Sequence, residues 1–224
     1  MDRSGSTKIK AVILDYGEVL SYPPTAQEWS RMANLFHMDP GRFRSLWGRN
    51  RLAYDRGDLS LEAYWWQLAE DAGMNLEPEI LTKLSQWDNE MWARVNPPMV
   101  EWPKRMRSAG VKTGLLSNMP VCMIRYARQQ FGWLTHFDHQ TFSAEVKLAK
   151  PDPAIYRHSL DGLGVAASKA LFVDDRATNV EGARAVGLSA IQFRSVTQLR
   201  GDLEKLGFPV LPVDSQAPSA TPAG

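Results

Sequence analysis

The chain has 224 residues, 44% hydrophobic and 23% charged, the ordinary balance of a globular domain. Lysine and arginine number 26 against 25 acidic residues, which argues against a polybasic surface for nucleic acid or an anionic membrane. No apolar stretch is long enough to cross a bilayer, and a single cysteine, Cys122, excludes an intrachain disulfide, so the expected setting is a reducing cytoplasm.

Residues 1–7 are polar, carry no signal-peptide core and read as a flexible tail. Ala11-Val12-Ile13-Leu14 is a short apolar run with polar bounds, the pattern of a buried strand; it ends in Asp15, with Gly17 two residues on. From 21 to 96 the strand rhythm stops and apolar residues recur at helical spacing. Trp29, Met32, Ala33 and Phe36 share one face, and Phe43, Leu46, Trp47 and Tyr54 another. Leu61, Tyr64, Trp65 and Leu68 define a third helix, with Ser60 placed to cap it, and Leu81, Leu84, Met91 and Val95 define a fourth. Six of the eight tryptophans fall here, enough to fill the core of a small bundle, with one or two left over to line a pocket. Arg42, Arg49 and Arg56 recur every seven residues as a stripe, either a solvated face or a contact for an anionic ligand. Arg56, in the loop YDRGDL, is the substrate candidate; its neighbour Asp55 either meets substrate hydroxyls or caps the turn.

Pro97-Pro98 marks the return to the strand rhythm. Thr113–Leu116 is a second strand, ending in Ser117-Asn118. Lys150 precedes a proline-rich helix start, and Ala170–Val173 is a third strand, ending in Asp174-Asp175 with Asn179 beyond. Ser189–Phe193 is a plausible fourth. Strands alternating with helices imply an α/β fold, a parallel sheet covered on both faces. The expected organisation is a three-layer Rossmann-like core over 8–20 and 97–208, an inserted α-helical domain over 21–96, and flexible tails at 1–7 and 209–224, the latter rich in Pro, Ala and Ser.

Parallel sheets bind ligands at the carboxyl ends of their strands. Asp15, Asp174 and Asp175 gathered on one such edge repel one another unless a cation joins them. Oxygen ligands suit Mg2+ where phosphate is the other partner. Lys150 then adds a point charge and Ser117 a hydroxyl, and with that charge screened a carboxylate can attack phosphorus. Each residue also has a plainer reading: Asp15 as a turn cap, Asp174 as a helix cap, Ser117-Asn118 as a loop start, Lys150 as a surface charge. Asn179 either orients a ligand or bonds its own helix.

In order along the chain, ILDYGEVL, LLSN, the lysine of KPDP and LFVDDRATN resemble the four motifs of the haloacid dehalogenase superfamily, most of whose members are phosphatases. The resemblance implies that Asp15 is nucleophile and metal ligand. It implies that Gly17 offers a backbone carbonyl to Mg2+, that Asp175 ligates it, and that Asp174 does so directly or through water. It further implies that Ser117 and Lys150, with contacts from Asn118, hold the phosphoryl group, and that the insertion is a helical cap over the substrate. Most such phosphatases carry a second aspartate two residues after the nucleophile as acid and base, where this chain has Gly17. The same glycine is found in a branch similar to α-D-glucose-1-phosphate phosphatases and to the N-terminal domain of soluble epoxide hydrolases, which points to a sugar phosphate. The implied function is a Mg2+-dependent phosphatase of a small phosphorylated metabolite, without nucleic-acid or membrane partners, as monomer or homodimer. The competing readings are a 2-haloacid dehalogenase, and a low-activity binder of phosphorylated ligands motivated by Gly17.

Overall fold

Alternate residues of the first strand look into different cores, and that decides the architecture. In β1 (Ala11–Leu14), Val12 and Leu14 pack into one buried cluster while Ala11 and Ile13 pack into another. A strand buried on both faces needs an unbroken apolar run, and burying each such side chain contributes about 1.5–3 kcal/mol. The structure, a computed structural model, describes residues 9–213. Among them β1 is the middle strand of a five-stranded parallel sheet with β2 (Lys112–Ser117), β3 (His139–Phe142), β4 (Ala170–Asp174) and β5 (Ser189–Gln192), in the order β3-β2-β1-β4-β5. The register pairs Leu14 with Leu115 on one side and with Val173 on the other. The strand order reverses about β1, so the crevice at its carboxyl end lies between the segments that follow β1, β2 and β4.

Between β1 and β2 the chain forms α1 (Ala26–Leu35), α2 (Pro40–Arg49), α3 (Arg51–Asp55), α4 (Leu61–Ala72) and α5 (Pro78–Glu90), then α6 (Pro97–Ser108). The starts of these helices are written locally. Thr25 and Glu28 form a reciprocal capping box on α1, Asp39 caps α2 ahead of Pro40, and Ser60 accepts from Ala63 N–H at 3.1 Å on α4. Helices α1 to α5 share a hydrophobic cluster of their own that includes Trp29, Met32, Phe43, Tyr64, Trp65 and Leu84. The two chain crossings into this helical segment are tied together: Ser21 and Val95 form an antiparallel bridge, and Asn96 N–H donates to Leu20 C=O at 2.8 Å.

After β2 come α7 (Val121–Gln130), α8 (Ser143–Val146), α9 (Pro153–Leu163), α10 (Ala177–Ala185) and α11 (Val196–Lys205). Helices α6, α7 and α11 cover one face of the sheet, through Trp102, Ile124 and Leu203 among others. Helices α9 and α10 cover the other, through Tyr156, Leu160 and Ala183.

Four local expectations change. The edge strand β3 has no apolar run to announce it: its first two residues, His139 and Gln140, are only half-buried. Val95 does not belong to the fourth helix of the insertion; α5 ends at Glu90, and Val95 packs instead with the sheet-side cluster. The arginine stripe breaks at Asn50, whose non-helical backbone separates α2 from α3, so Arg56 does not continue the line of Arg42 and Arg49. Of the expected tail, residues 209–213 lie along α6, where Trp102 Nε1–H donates to Val210 C=O at 2.9 Å and Arg105 to Leu211 C=O at 2.8 Å. The remaining tail residues, 1–7 and 214–224, lie outside the described residues.

Candidate active site

The first strand runs directly into an aspartate, Asp15, and its neighbour β4 ends in one. Asp15 N–H donates to Val173 C=O at 2.9 Å, which sets Asp15 beside Asp174, the last residue of β4. One oxygen from each of Asp15, Asp174 and Asp175 lies within 4.8 Å of the others. Lys150 Nζ bridges the first two, at 2.7 Å from Asp15 Oδ1 and 2.7 Å from Asp174 Oδ2, with its side chain 1% exposed. Lys150 reaches this point because its loop is stitched to the end of β2. Asn118 Nδ2–H donates to Lys150 C=O at 3.0 Å, and Lys150 N–H donates to Asn118 Oδ1 at 2.9 Å.

Burial governs the protonation of these groups. It lifts the carboxyl of Asp15 to about 8 against the opposing pull of Lys150, with Asp174 and Asp175 adding to the lift. Burial also raises Asp175, to about 6, helped by the charges of Asp174 and Glu18. Burial works against the charge of Lys150, but Asp15 and Asp174 outweigh it and hold this amine above the ordinary lysine range. One buried cation among three carboxylates leaves an excess of negative charge, and an all-oxygen donor set of this spacing fits a hard divalent ion such as Mg2+.

The expected residues fall into two groups. Asp15, Gly17, Ser117, Asn118, Lys150 and Asp175 all line one cavity of about 530 Å3 between the strand ends and the helical segment. Asp174 sits beneath it, fully buried, held by Lys150, by Arg176 N–H at 2.9 Å and by Asn179 Nδ2–H at 3.0 and 3.1 Å. Asn179 thus orients a carboxylate of the cluster rather than bonding only its own helix. Gly17 has ordinary backbone angles, and an added Cβ would meet Trp92 Cζ3 at 3.6 Å, an ordinary contact. Cys122 is half-buried and packs as expected, its Sγ 3.0 Å from the Tyr54 hydroxyl.

Arg56 is the correction. It points to solvent, pairs with Asp58 and does not line the cavity. The chain turns at Gly57, with φ of +76°, and the arginine before the turn is carried outward. Arg51 and Asp55 line the cavity instead. Arg51 Nε–H donates to Asp55 Oδ1 at 2.8 Å, Arg51 Nη1 contacts both oxygens of Asp88 at 2.9 Å, and the guanidinium lies 4.2 Å over the Trp47 ring. The four-residue spacing of Arg51 and Asp55 is a helical ion-pair signal that was readable in the sequence; their burial among Trp47, Tyr54 and Tyr64 was not. Trp29, Trp47 and Trp92 are the tryptophans that reach the cavity.

Comparisons with known proteins bear on the family and the fold. A model of the haloacid dehalogenase-like hydrolases matches residues 9–187. Bifunctional epoxide hydrolase 2 of Sus scrofa is 26% identical over 239 residues, covering 96% of this chain and 43% of its own, so this chain spans less than half of that relative. (S)-2-haloacid dehalogenase 1 of Pseudomonas sp. strain CBS-3 is 30% identical over 165 residues, covering 69% of this chain and 71% of the dehalogenase. Among solved structures, HAD family enzyme bt-2542 of Bacteroides thetaiotaomicron, in complex with magnesium and inorganic phosphate, shares the fold. Its TM-score is 0.66 at 18% identity, over 83% of this chain and 94% of that one. The matched span runs from the strand before Asp15 to the helix after Asp175, and by that match the chain belongs to the haloacid dehalogenase-like hydrolases.

Proposed function

We propose that the protein is a Mg2+-dependent phosphatase acting on a small phosphate monoester, with a sugar phosphate as the favoured class, through an aspartyl phosphate on Asp15. The observation that carries this reading is the convergence of Asp15, Asp174 and Asp175 within 4.8 Å around a single buried lysine. Asp15, Asp175 and the Gly17 carbonyl would hold the ion, with Asp174 acting directly or through water. When bound, the ion neutralises the carboxylates so that a phosphate dianion can enter. Asp15 Oδ1 is engaged by Tyr16 N–H and Lys150, each at 2.7 Å, which leaves Oδ2 to attack phosphorus. The new bond forms between Oδ2 and phosphorus as the bond to the leaving oxygen breaks, and that oxygen takes a proton from solvent water and leaves as an alcohol. Water then bonds phosphorus, giving its proton to solvent, as the bond from phosphorus to Oδ2 breaks; inorganic phosphate leaves and the carboxylate is restored. Lys150 and the Ser117 hydroxyl steady the phosphoryl oxygens in both steps. Asn118 acts through the Lys150 loop. The helical segment serves as the cap that closes the cavity over the substrate.

Gly17 brings no carboxyl for acid–base work, a contribution typically worth about 10²–10⁴-fold. A leaving oxygen more acidic than an ordinary alcohol, such as an anomeric hydroxyl, reduces the need for it.

The likeness to a 2-haloacid dehalogenase favours a second reading, in which Asp15 attacks carbon. The acidic cluster opposes it, because excess negative charge repels a haloacid carboxylate. Phosphate release from a sugar-phosphate panel, with and without Mg2+, separates the readings. Metal-dependent turnover that is abolished by Asp15→Asn supports phosphatase action. Halide release in EDTA establishes the dehalogenase. Ligand-induced melting shifts without turnover establish a binding protein.

A further inference from the structure

The junction of α3 and α4 is clasped to the strand-end side of the molecule by side chains that bond its backbone carbonyls. The Ser143 hydroxyl donates to Asp55 C=O, and Lys147 Nζ donates to Gly57 C=O. An added Cβ at Gly57 would come within 2.6 Å of Lys147 Nζ and 3.2 Å of Ala144 C=O on a left-handed backbone, so this close approach favours glycine. The Asp55 carboxyl is therefore positioned by residues that follow β3, which belongs to the same sheet that carries Asp15. Its Oδ1 is taken by Arg51, and Arg51 is itself locked by Asp88. Its Oδ2 has no hydrogen-bond partner among the described residues, although Asp55 is 9% exposed and lines the cavity. That oxygen is open to the cavity rather than sealed in protein, so a ligand hydroxyl can take the place of water on it.

We infer that Asp55 selects the leaving group: its Oδ2 bonds a hydroxyl of the substrate, so polyol monophosphates are preferred to apolar monophosphates of similar size. This rests on the phosphatase reading of the same site. A hydroxyl suits the position because it donates to Oδ2 without adding a charge to the cluster of Arg51, Asp55 and Asp88. It suits better than a second phosphate, because the free atom is an acidic oxygen. Burial, opposed by Arg51, holds the Asp55 carboxyl at about 7, where it can accept from a hydroxyl or donate to one.

The test compares the full chain with Asp55→Asn and Asp55→Ala, using a hexose monophosphate panel and p-nitrophenyl phosphate with Mg2+. The expected result is a loss of about 10- to 100-fold in kcat/KM for the best hexose phosphate in Asp55→Ala, carried mainly by KM. Asp55→Asn, which keeps an acceptor and the shape, should fall between. The loss on p-nitrophenyl phosphate, which offers no hydroxyl to bond, should be at least about tenfold smaller than that on the hexose phosphate. An equal loss on both substrates assigns Asp55 to folding or chemistry and overturns the inference, as does an unchanged hexose phosphate. Melting shifts read binding separately: Asp55→Ala should lose the shift given by the hexose phosphate and keep that given by inorganic phosphate. If the unaltered chain turns over nothing, the phosphatase reading fails while this binding comparison still decides the role of Asp55.

Discussion

Lys150→Met is the most telling single perturbation, because it removes the one cation buried among the acids and nearly preserves volume. In the parent protein Nζ lies 2.7 Å from both Asp15 and Asp174, with both partners almost wholly buried. Breaking a buried ion pair by deleting one partner costs about 3–5 kcal/mol, because the remaining charge is left uncompensated. The low end of that range applies near neutrality. Burial already lifts Asp15 to about 8, and without Lys150 the lift is larger, so Asp15 in the variant folds with its proton on. The sign follows from linkage. A carboxyl whose folded pKa is raised binds a proton in the native state that the unfolded chain has released, so stability falls as pH rises from the unfolded value toward the folded one. The gap between variant and parent should therefore hold at about 3 kcal/mol near neutral pH and widen by up to about 1.4 kcal/mol per pH unit only above about 8, where the parent's Asp15 releases its proton and the variant's does not. Urea denaturation at a series of pH values measures this, and millimolar Mg2+ should recover more of the loss at the alkaline end. A loss under about 1 kcal/mol, or one indifferent to both pH and Mg2+, would refute the argument that Lys150 neutralises a carboxylate cluster.

Further outcomes are expected from the cavity wall. Arg56→Ala should leave kcat/KM within about twofold, since Arg56 faces solvent beside Asp58; a larger loss in steady-state assays would restore it as a substrate contact. Gly57→Ala forces a side chain into a left-handed backbone against Lys147 and Ala144, and should cost about 1–3 kcal/mol in urea denaturation together with a raised KM. Gly17→Ala should fold normally, because its Cβ meets only Trp92 at 3.6 Å. Gly17→Asp should speed hydrolysis of an alkyl monophosphate by up to about 10²-fold if the missing acid–base group limits the rate; an unchanged rate would show that another step does.

Much of the site was legible because strand ends are legible. AVIL and ALFV each run straight into aspartate, and a buried strand that ends in a carboxylate signals a functional edge. Asn118 was legible as a loop residue, but that both ends of its amide serve the Lys150 main chain was not, since that contact joins loops 32 residues apart. The edge strand β3 escaped for a different reason. With a neighbour on one side only, it needs no continuous apolar run, and its alternation is too short to separate from loop.

The sequence by itself determined the α/β class, the helical insertion, the local caps and the order of the chemical residues. Each of those is written in periodicity, turn chemistry and strand termini over a few consecutive positions. Only the tertiary structure decided which insertion residues face the cavity. A break of one residue at Asn50 and a left-handed turn at Gly57 carry Arg56 outward and leave Arg51 and Asp55 at the wall. Side-chain direction beyond a helix break depends on where the next segment docks, and that docking is set by Ser143 and Lys147, residues some ninety positions away in the chain.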